Sequence, residues 1–189
     1  MVSNWKALKL VYCLLLTSTT AANAQVPSAV AESVVSRAIS LSGGFIEISG
    51  RVRVAFPARF FATPETVRVW ISGDPTTDAA RAGYELHGAG RGPYLPFDVL
   101  IEAGQKPQAA YEVTIMLPNE YLRQLPSALK PTAFREVLHG SPSELHYSYE
   151  EVPAELEANS RRLRVKVPKL EYYRLEHLYD MIVVGCVPR

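Results

Sequence analysis

The sequence is poor in cysteine and has neither a marked excess of one charge nor a long apolar run. It contains only two cysteines in 189 residues, and its formal net charge is +1. A near-neutral chain with mixed signs gives no electrostatic reason to expect a nucleic acid or an anionic membrane as partner. The longest apolar stretch, within residues 8–16, is too short for a membrane-spanning helix, which needs about 20 residues. We therefore expect no disulfide scaffold, no nucleic-acid partner and no membrane span in the mature chain.

The start of the chain, residues 1–24, has the three parts of a secretory signal peptide. Lys6 and Lys9 give it a positive beginning, residues 8–16 form the apolar centre, and Ala-Ala-Asn-Ala at 21–24 fits a cleavage site. We predict cleavage after residue 24 and export to the periplasm or the medium. Removing 24 of the 189 residues leaves 165, and the net charge then falls from +1 to −1 because two lysines and no acidic residue leave.

Only one cysteine stays after this cleavage, because Cys13 lies in the leader. Cys186 then has no internal disulfide partner, so it is either buried or paired with another molecule. It lies in the apolar run 181–187, which is typical of a buried strand. We expect a buried, inert thiol.

Alternation of apolar and polar residues dominates the rest of the chain. Alternation with period two predicts strands with one buried face. The segments with this pattern are 44–49, 52–56, 67–71, 97–101, 111–117, 145–149 and 163–167. Residues 181–187 are apolar on both faces and are expected at the centre of a sheet. The pattern predicts an all-β protein, an antiparallel β-sandwich of about eight or nine short strands.

Other segments carry weaker signals. Residues 119–124 look like one or two helical turns, and Pro126, Pro131 and Pro142 predict an irregular region after them. For residues 25–42 two interpretations stay open. A short helix capped by Ser28 would run through Val30, Val34, Val35 and Ile39, or the segment is an extended N-terminal arm. Residues 43–189 would form a single domain.

The opening of this domain resembles a known family. Gly43-Gly44-Phe45 leads into Val52-Arg53-Val54-Ala55-Phe56-Pro57, and the alternating run 65–71 follows after a short loop. This order, with the later strands at 111–118, 145–149 and 163–167, is similar to that of the ZU5-like, immunoglobulin-like β-sandwich. The resemblance covers about residues 43–187 and implies a sandwich fold with an interaction role.

The sequence departs from that family at two places. The family usually has glycine in the kink after the proline, where this chain has Ala58-Arg59. Some members cleave themselves at a His-Phe-Ser motif before the last strand, whereas residues 168–172 read Pro-Lys-Leu-Glu-Tyr here. The resemblance therefore gives no support for autoproteolysis.

No pattern of catalytic or metal-binding residues is visible. His87, His139, His146 and His177 have no metal-ligand spacing, and a metal site needs three or four converging ligands. The chain has no Gly-x-Ser-x-Gly, and Gly-rich residues 88–92 run into Pro93 without a helix pattern, which argues against a phosphate loop. We expect no cofactor, no metal and no enzyme activity.

Aromatic residues provide the only candidate binding surface. Trp70 lies on the polar phase of its strand, and tyrosines are frequent in the C-terminal third. An outward tryptophan with tyrosines would offer a platform for a partner or a sugar ring. The predicted surface consists of Trp70, Tyr147, Tyr149, Tyr172 and Tyr173. The opposing interpretation is that a loop or the N-terminal arm covers Trp70.

These observations favour an exported, non-catalytic β-sandwich that binds or assembles in the cell envelope or extracellular space. Its partner would be a protein or, second, a glycan. One alternative is a carbohydrate-binding module that uses the exposed tryptophan and tyrosines. The other is a small hydrolase whose residues converge only in the folded chain.

Overall fold

The computed structural model of the chain describes residues 33–72, 95, 97–139, 146–169 and 177–189. These residues form eleven strands and one short helix, and the strands build two antiparallel sheets. The predicted all-β sandwich is confirmed, with more strands than the eight or nine expected. The predicted leader, residues 1–24, lies outside the described residues.

The two sheets have six and five strands. The strands are β1 (Ser33–Ile39), β2 (Gly44–Ile48), β3 (Val52–Phe56), β4 (Glu65–Ser72), β5 (Asp98–Ala103), β6 (Tyr111–Met116), β7 (Leu129–His139), β8 (His146–Val152), β9 (Ala154–Leu156), β10 (Arg162–Val167) and β11 (Leu178–Pro188), and the helix is α1 (Asn119–Gln124). The six-stranded sheet has the order β1-β4-β5-β11-β7-β8. The five-stranded sheet has the order β2-β3-β6-β10-β9.

The period-two pattern of the sequence builds the core between the sheets. In β10, Leu163, Val165 and Val167 are completely buried, whereas the alternate residues are exposed. The same alternation in β3 and β6 turns their valines inward. Because the apolar side chains of each sheet lie on one face, the two sheets are stable when these faces pack together and exclude water.

Both sides of the sandwich are closed by chain that passes from one sheet to the other. On one side β1 runs into β2 through a tight turn in which the N–H of Gly43 donates to the carbonyl of Ser40 at 3.0 Å. On the other side Pro153 separates β8 from β9. A proline at this position suits a corner, because it cannot donate a hydrogen bond to a continuing ladder.

Residues 33–39 correct one of the two interpretations of the N-terminal segment. They form strand β1, so a short helix through Val34, Val35 and Ile39 is wrong for this part of the chain. β1 pairs with β4 in antiparallel register, with Val35 opposite Val69. This pairing provides hydrogen-bond partners for the backbone of β1, and Ile39 lies in the core with 1% exposure. An isolated helical turn would be marginally stable without such packing. The sandwich therefore begins before residue 43.

Strand β7 corrects the prediction of an irregular region around Pro131. Pro131 lies inside this strand and pairs with Cys186 of β11. The ladder between β7 and β8 reaches only to Ala133, so Pro131 lacks a β8 neighbour. A proline is tolerated in a strand at such a one-sided position.

The predicted helical turns and the buried cysteine are both found. In α1 the hydroxyl of Tyr121 donates to the carbonyl of Gly185 at 2.8 Å, which ties the helix to β11. Cys186 is completely buried in β11. Of the helices in the described ranges, none has the length and apolar character needed to cross a membrane.

Candidate functional site

The aromatic residues predicted as a binding surface are not all exposed. Trp70 is half-buried on the outer face of the six-stranded sheet, between Val34 of β1 and Leu100 of β5. The guanidinium of Arg68 lies 4.8 Å from the Trp70 ring and binds Glu102 at 2.6 Å. This cation covers part of the ring.

Tyr149 is buried rather than exposed. Its side chain is 4% exposed and packs with Phe134 and Val183 in a small apolar cluster outside the main core. Its hydroxyl donates to Glu136 at 3.4 Å. Tyr149 is therefore not part of an exposed platform, because its ring and hydroxyl both have partners inside the protein.

The side chains of the other three tyrosines lie outside the part of the chain that the structure describes. Tyr147 belongs to the backbone of β8, and its side chain is outside the described part. Tyr172 and Tyr173 lie outside the described residues.

A different surface, on the outer face of the five-stranded sheet, gathers charged side chains into a groove. The central strand β6 has β3 on one side and β10 on the other. Arg53 and Arg164 both lie opposite Thr114, and Arg162 lies opposite Met116. The backbone of Arg51 accepts a hydrogen bond from the N–H of Met116 at 2.7 Å. Alternation therefore places Arg53 of β3 and both arginines of β10 on the outer face of the sheet, and Arg51 directly precedes β3. We call Arg51, Arg53, Arg162 and Arg164 around Thr114 the arginine groove.

The floor of the arginine groove is made of smaller side chains. Thr114 lies between Arg53 and Arg164, with Met116 towards one end of the cavity and Ala55 towards the other. Because these side chains are short, they leave a cavity of about 330 Å³ above the sheet. Small-molecule sites commonly have volumes of about 300–1,000 Å³, so the cavity is within the size range of a small ligand.

The acidic residues of the groove neutralise only part of its positive charge. Arg164 binds Glu157 at 2.8 Å and Glu112 at 3.4 Å. In the described part of the chain, no carboxylate lies within salt-bridge distance of Arg53 or Arg162. Both residues are exposed, and they keep donors that an anion can use.

Arg53 is held in place by an aromatic ring. Its guanidinium lies 4.1 Å from the centre of the Phe45 ring, and Arg37 approaches the same ring at 5.2 Å. Arg37 also donates to the carbonyl of Phe45 at 3.0 Å. Such contacts orient a guanidinium without using its in-plane N–H donors. These contacts restrict the rotation of the Arg53 side chain.

A second cavity adjoins the arginine groove at the end of β6. The two share Arg51 and Met116, and the second has a volume of about 580 Å³. Its lining adds the exposed Arg161 and the start of α1. The groove therefore continues past Met116, where its lining includes Glu120 as well as Arg161.

A buried ion pair lies between the two sheets. Arg135 of β7 and Asp180 of β11 are each 1% exposed, and their closest side-chain atoms are 2.6 Å apart. The hydroxyl of Tyr111 donates to Asp180 at 2.6 Å, and Arg135 donates to the carbonyl of Pro168 at 2.8 Å. Because both charged side chains are buried and bound to partners within the protein, we assign the pair a structural role.

The described residues provide little for metal or covalent chemistry. They contain no group of three or more His, Cys, Asp or Glu side chains that could hold a metal ion. His177 is exposed, whereas His87 and the side chains of His139 and His146 fall outside the description. Burial raises the pKa of the Cys186 thiol, which disfavours the reactive thiolate.

Sequence reasoning missed both the arginine groove and the buried pair. The signal for the groove was the repeated Arg-x-Arg of residues 51–53 and 162–164, but only the strand order places them on one surface. The signal for the pair was Asp180, which lies on an apolar phase of β11 between Leu178 and Ile182.

Comparison with known proteins assigns no family. No family model matches the chain, and no curated protein matches it with significance.

Proposed function

We propose that this chain is an exported, non-catalytic β-sandwich that binds a partner in the cell envelope or extracellular space. The arginine groove is its binding surface in this proposal. The observation that carries it is that two exposed arginines, Arg53 and Arg162, line one cavity together with small side chains. Export rests on the signal-peptide pattern of residues 1–24.

The distribution of charge supports binding through this face. A sheet face that is only exposed to solvent does not require oriented cations around an open cavity. Here Phe45 orients Arg53, and Arg164 is fixed by two carboxylates. Oriented donors lose less freedom when a ligand binds, which favours affinity. The Trp70 platform is a weaker candidate, because Arg68 lies over its ring.

The test compares capture of partners by three forms of the processed chain. The wild type, the double variant Arg53→Gln/Arg162→Gln and the control Arg68→Gln are each immobilised and exposed to envelope and culture-medium fractions of the native host. Arg68 is also an exposed strand arginine, but it lies on the other sheet. The expected result is a component retained by the wild type and the control and lost with the double variant.

Two results would overturn the proposal. One is capture that is unchanged by the double variant, given equal thermal unfolding of the three forms. The other is hydrolytic turnover that disappears when a single residue is replaced.

A further inference from the structure

We infer that copies of this chain assemble head to tail, with strand β1 of one copy pairing with strand β8 of the next. The partner is a second copy of the chain, and the six-stranded sheets of the copies join into one continuous sheet. This inference goes beyond the proposed function and does not use the arginine groove. It follows from the directions of the strands, from the charges of the two edge strands and from the apolar side chains exposed beside them.

Strands β1 and β8 are the two edges of the six-stranded sheet. In the described part of the chain, β1 pairs only with β4, and β8 pairs only with β7. Each edge strand has seven residues in a continuous register and contains no proline. Very short strands, prolines and bulges are devices with which proteins prevent another strand from adding to an edge. Because both edges have none of the three, each can accept a further strand.

The directions of the strands allow these two edges to pair. All neighbours in the six-stranded sheet are antiparallel, so the strand direction alternates from β1 to β8. Because the number of strands is even, β1 and β8 run in opposite directions. A second copy in the same orientation therefore places its β1 antiparallel to β8 of the first copy, and the alternation continues across the junction.

The charges of the edge strands favour a junction between unlike edges. The charged residue of β1 is Arg37, whereas β8 contains the acidic residues Glu150 and Glu151, and all three are exposed. Opposite charges on neighbouring strands stabilise a strand pair, and like charges opposite each other destabilise it. Two β8 strands would bring four glutamates together. Pairing of β1 with β8 instead sets an arginine beside glutamates.

One register joins the charges on the core-facing side of the two strands. Arg37 has the same phase along β1 as the buried Ile39, and Glu150 has the same phase along β8 as the buried Val152. If Arg37 lies opposite Glu150, antiparallel counting sets Val35 opposite Val152. Val35 is only half-buried in the single chain, so the neighbouring strand would cover it. A shift by two residues loses both the ion pair and this apolar pair.

Exposed apolar side chains on two sides of the sandwich support the same junction. Val34 of β1, Leu41 of the corner and Phe45 of β2 are exposed on one side. On the other side Leu156 of β9 is exposed, although it lies opposite the buried Leu163 and shares its core-facing phase. A head-to-tail junction brings these two sides together and removes apolar surface from water.

A junction between unlike edges does not limit the number of copies. Every row of copies ends in one β1 edge and one β8 edge, so growth continues unless the row closes into a ring. Neighbouring strands are rotated by about 20–25°, so six of them rotate successive copies by roughly 120–150°. We therefore expect a twisted, open row of copies whose length depends on concentration.

The test is sedimentation velocity of the processed chain over a range of concentrations, with charge reversals at the junction. The wild type should form oligomers that grow with concentration. Arg37→Glu and Glu150→Arg should each weaken association about tenfold or more, because each sets like charges opposite each other. Arg123→Glu is the matched control for Arg37→Glu, since it makes the same change in net charge on the exposed side of α1. It should leave association within about twofold.

Restoring the opposite charges should restore assembly. An equimolar mixture of Arg37→Glu and Glu150→Arg should assemble like the wild type, because each contact between the two variants again joins opposite charges. The double variant Arg37→Glu/Glu150→Arg should do the same by itself. Equal thermal unfolding of all forms shows that the fold is intact.

Disulfide formation tests the register. Ser36 and Glu151 lie opposite each other when Arg37 lies opposite Glu150. Directly opposite residues of antiparallel strands have Cα atoms about 4.5–5.5 Å apart, a distance that a disulfide spans. A mixture of Ser36→Cys and Glu151→Cys should therefore form a linked pair under mild oxidation, whereas Ser36→Cys with Arg123→Cys should not. Cys186 is buried and does not compete.

Three results would overturn the inference. The first is a wild-type chain that stays monomeric up to about 1 mM. The second is association that neither charge reversal weakens. The third is linkage of Ser36→Cys with itself as efficient as with Glu151→Cys, which would indicate a symmetric pair of β1 strands. None of these variants changes a residue of the arginine groove, so each of these results leaves the proposed function standing.

Discussion

At the scale of single residues, the buried pair of Arg135 and Asp180 is the feature on which stability depends most directly. Two charges inside an apolar core are favourable only while each has its partners. Here Asp180 is bound by Arg135 and by the hydroxyl of Tyr111. Removing one member leaves the other charged and buried.

We predict that Asp180→Ala or Arg135→Ala lowers the free energy of unfolding by about 3–5 kcal/mol. The double replacement Arg135→Met/Asp180→Leu should recover most of this loss, because no lone charge is left. Tyr111→Phe, which keeps the ring, should cost only about 1–3 kcal/mol. Urea unfolding of the four variants measures this. Single variants within about 1 kcal/mol of the wild type would show that the pair contributes little.

A second residue-scale prediction concerns Glu136. Burial raises its pKa from 4.5 to about 7, and the hydrogen bond from Tyr149 opposes part of this shift. The folded protein therefore keeps this proton at pH values where the unfolded chain has released it. The stabilisation is complete below about pH 4.5 and is lost as the pH rises towards 7.

We expect Glu136→Gln to remove this part of the pH dependence, because an amide mimics the protonated acid and does not titrate. The measurement is the free energy of unfolding from pH 4 to pH 8 for the wild type and the variant. Tyr149→Phe should move the titration further up, since it removes the bond that favours the carboxylate. Identical pH profiles for wild type and Glu136→Gln would refute the assignment.

At the scale of elements, the turns that connect strands differ in how much they tolerate a side chain. Gly43, in the β1–β2 corner, and Gly50, in the β2–β3 turn, both have positive φ, at 85° and 66°. A Cβ on Gly43 would lie 2.5 Å from the carbonyl oxygen of Phe56, whereas one on Gly50 would meet nothing within 4 Å. The two positions share the backbone strain and differ in the space around them.

We predict that Gly50→Ala costs about 1–2 kcal/mol, the ordinary penalty of a left-handed conformation. Gly43→Ala should cost more, by about 1–3 kcal/mol, because the backbone around Pro57 has to shift. Thermal and urea unfolding of the two variants give the comparison. Equal losses would mean that the β1–β2 corner is more adaptable than its contacts indicate.

The strands differ in how well they could be predicted from the sequence. Strands with strict alternation, such as β6 and β10, were predicted because a strand with one buried face has an apolar residue at every second position. β1 was not, because its apolar residues Val34, Val35 and Ile39 also fit a helical spacing and only pairing with β4 decides between them. β7 was not predicted for a similar reason. A proline fits a strand where one neighbouring strand is absent, and only the tertiary structure shows that β8 does not extend to Pro131.

The candidate site was even less predictable than the fold. That Arg162 and Arg164 face solvent could be predicted from the alternation in β10. That they face Arg53 across β6 depends on the order of the strands, which local patterns do not encode. The predicted aromatic surface relied on the polar phase of Trp70 and on the frequency of tyrosines, and neither signal shows that Tyr149 packs with Phe134 and Val183.

At the scale of the whole molecule, the predicted leader would determine the compartment in which the sandwich has to be stable. We predict that expression with the native N-terminus gives a protein that begins at Gln25, because residues 22–24 read Ala-Asn-Ala. Ala24→Leu should prevent processing, since the cleavage position requires a small side chain. Intact-mass measurement of the exported fraction distinguishes the 165-residue product from the 189-residue chain. A wild-type protein that keeps all 24 leader residues would disprove the cleavage.

The position of β11 has a consequence for the moment at which this protein becomes folded. β11 lies between β5 and β7, although it follows every other described strand along the chain. Before residues 178–188 are available for pairing, the six-stranded sheet lacks its central strand. β5 and β7 are then not joined, because each of them pairs with β11. A chain threaded through a membrane channel from its N-terminus would thus stay open to threading for almost its whole length. If the predicted export takes place, closure of the sheet would coincide with release on the far side of the membrane, and the topology would delay folding until then.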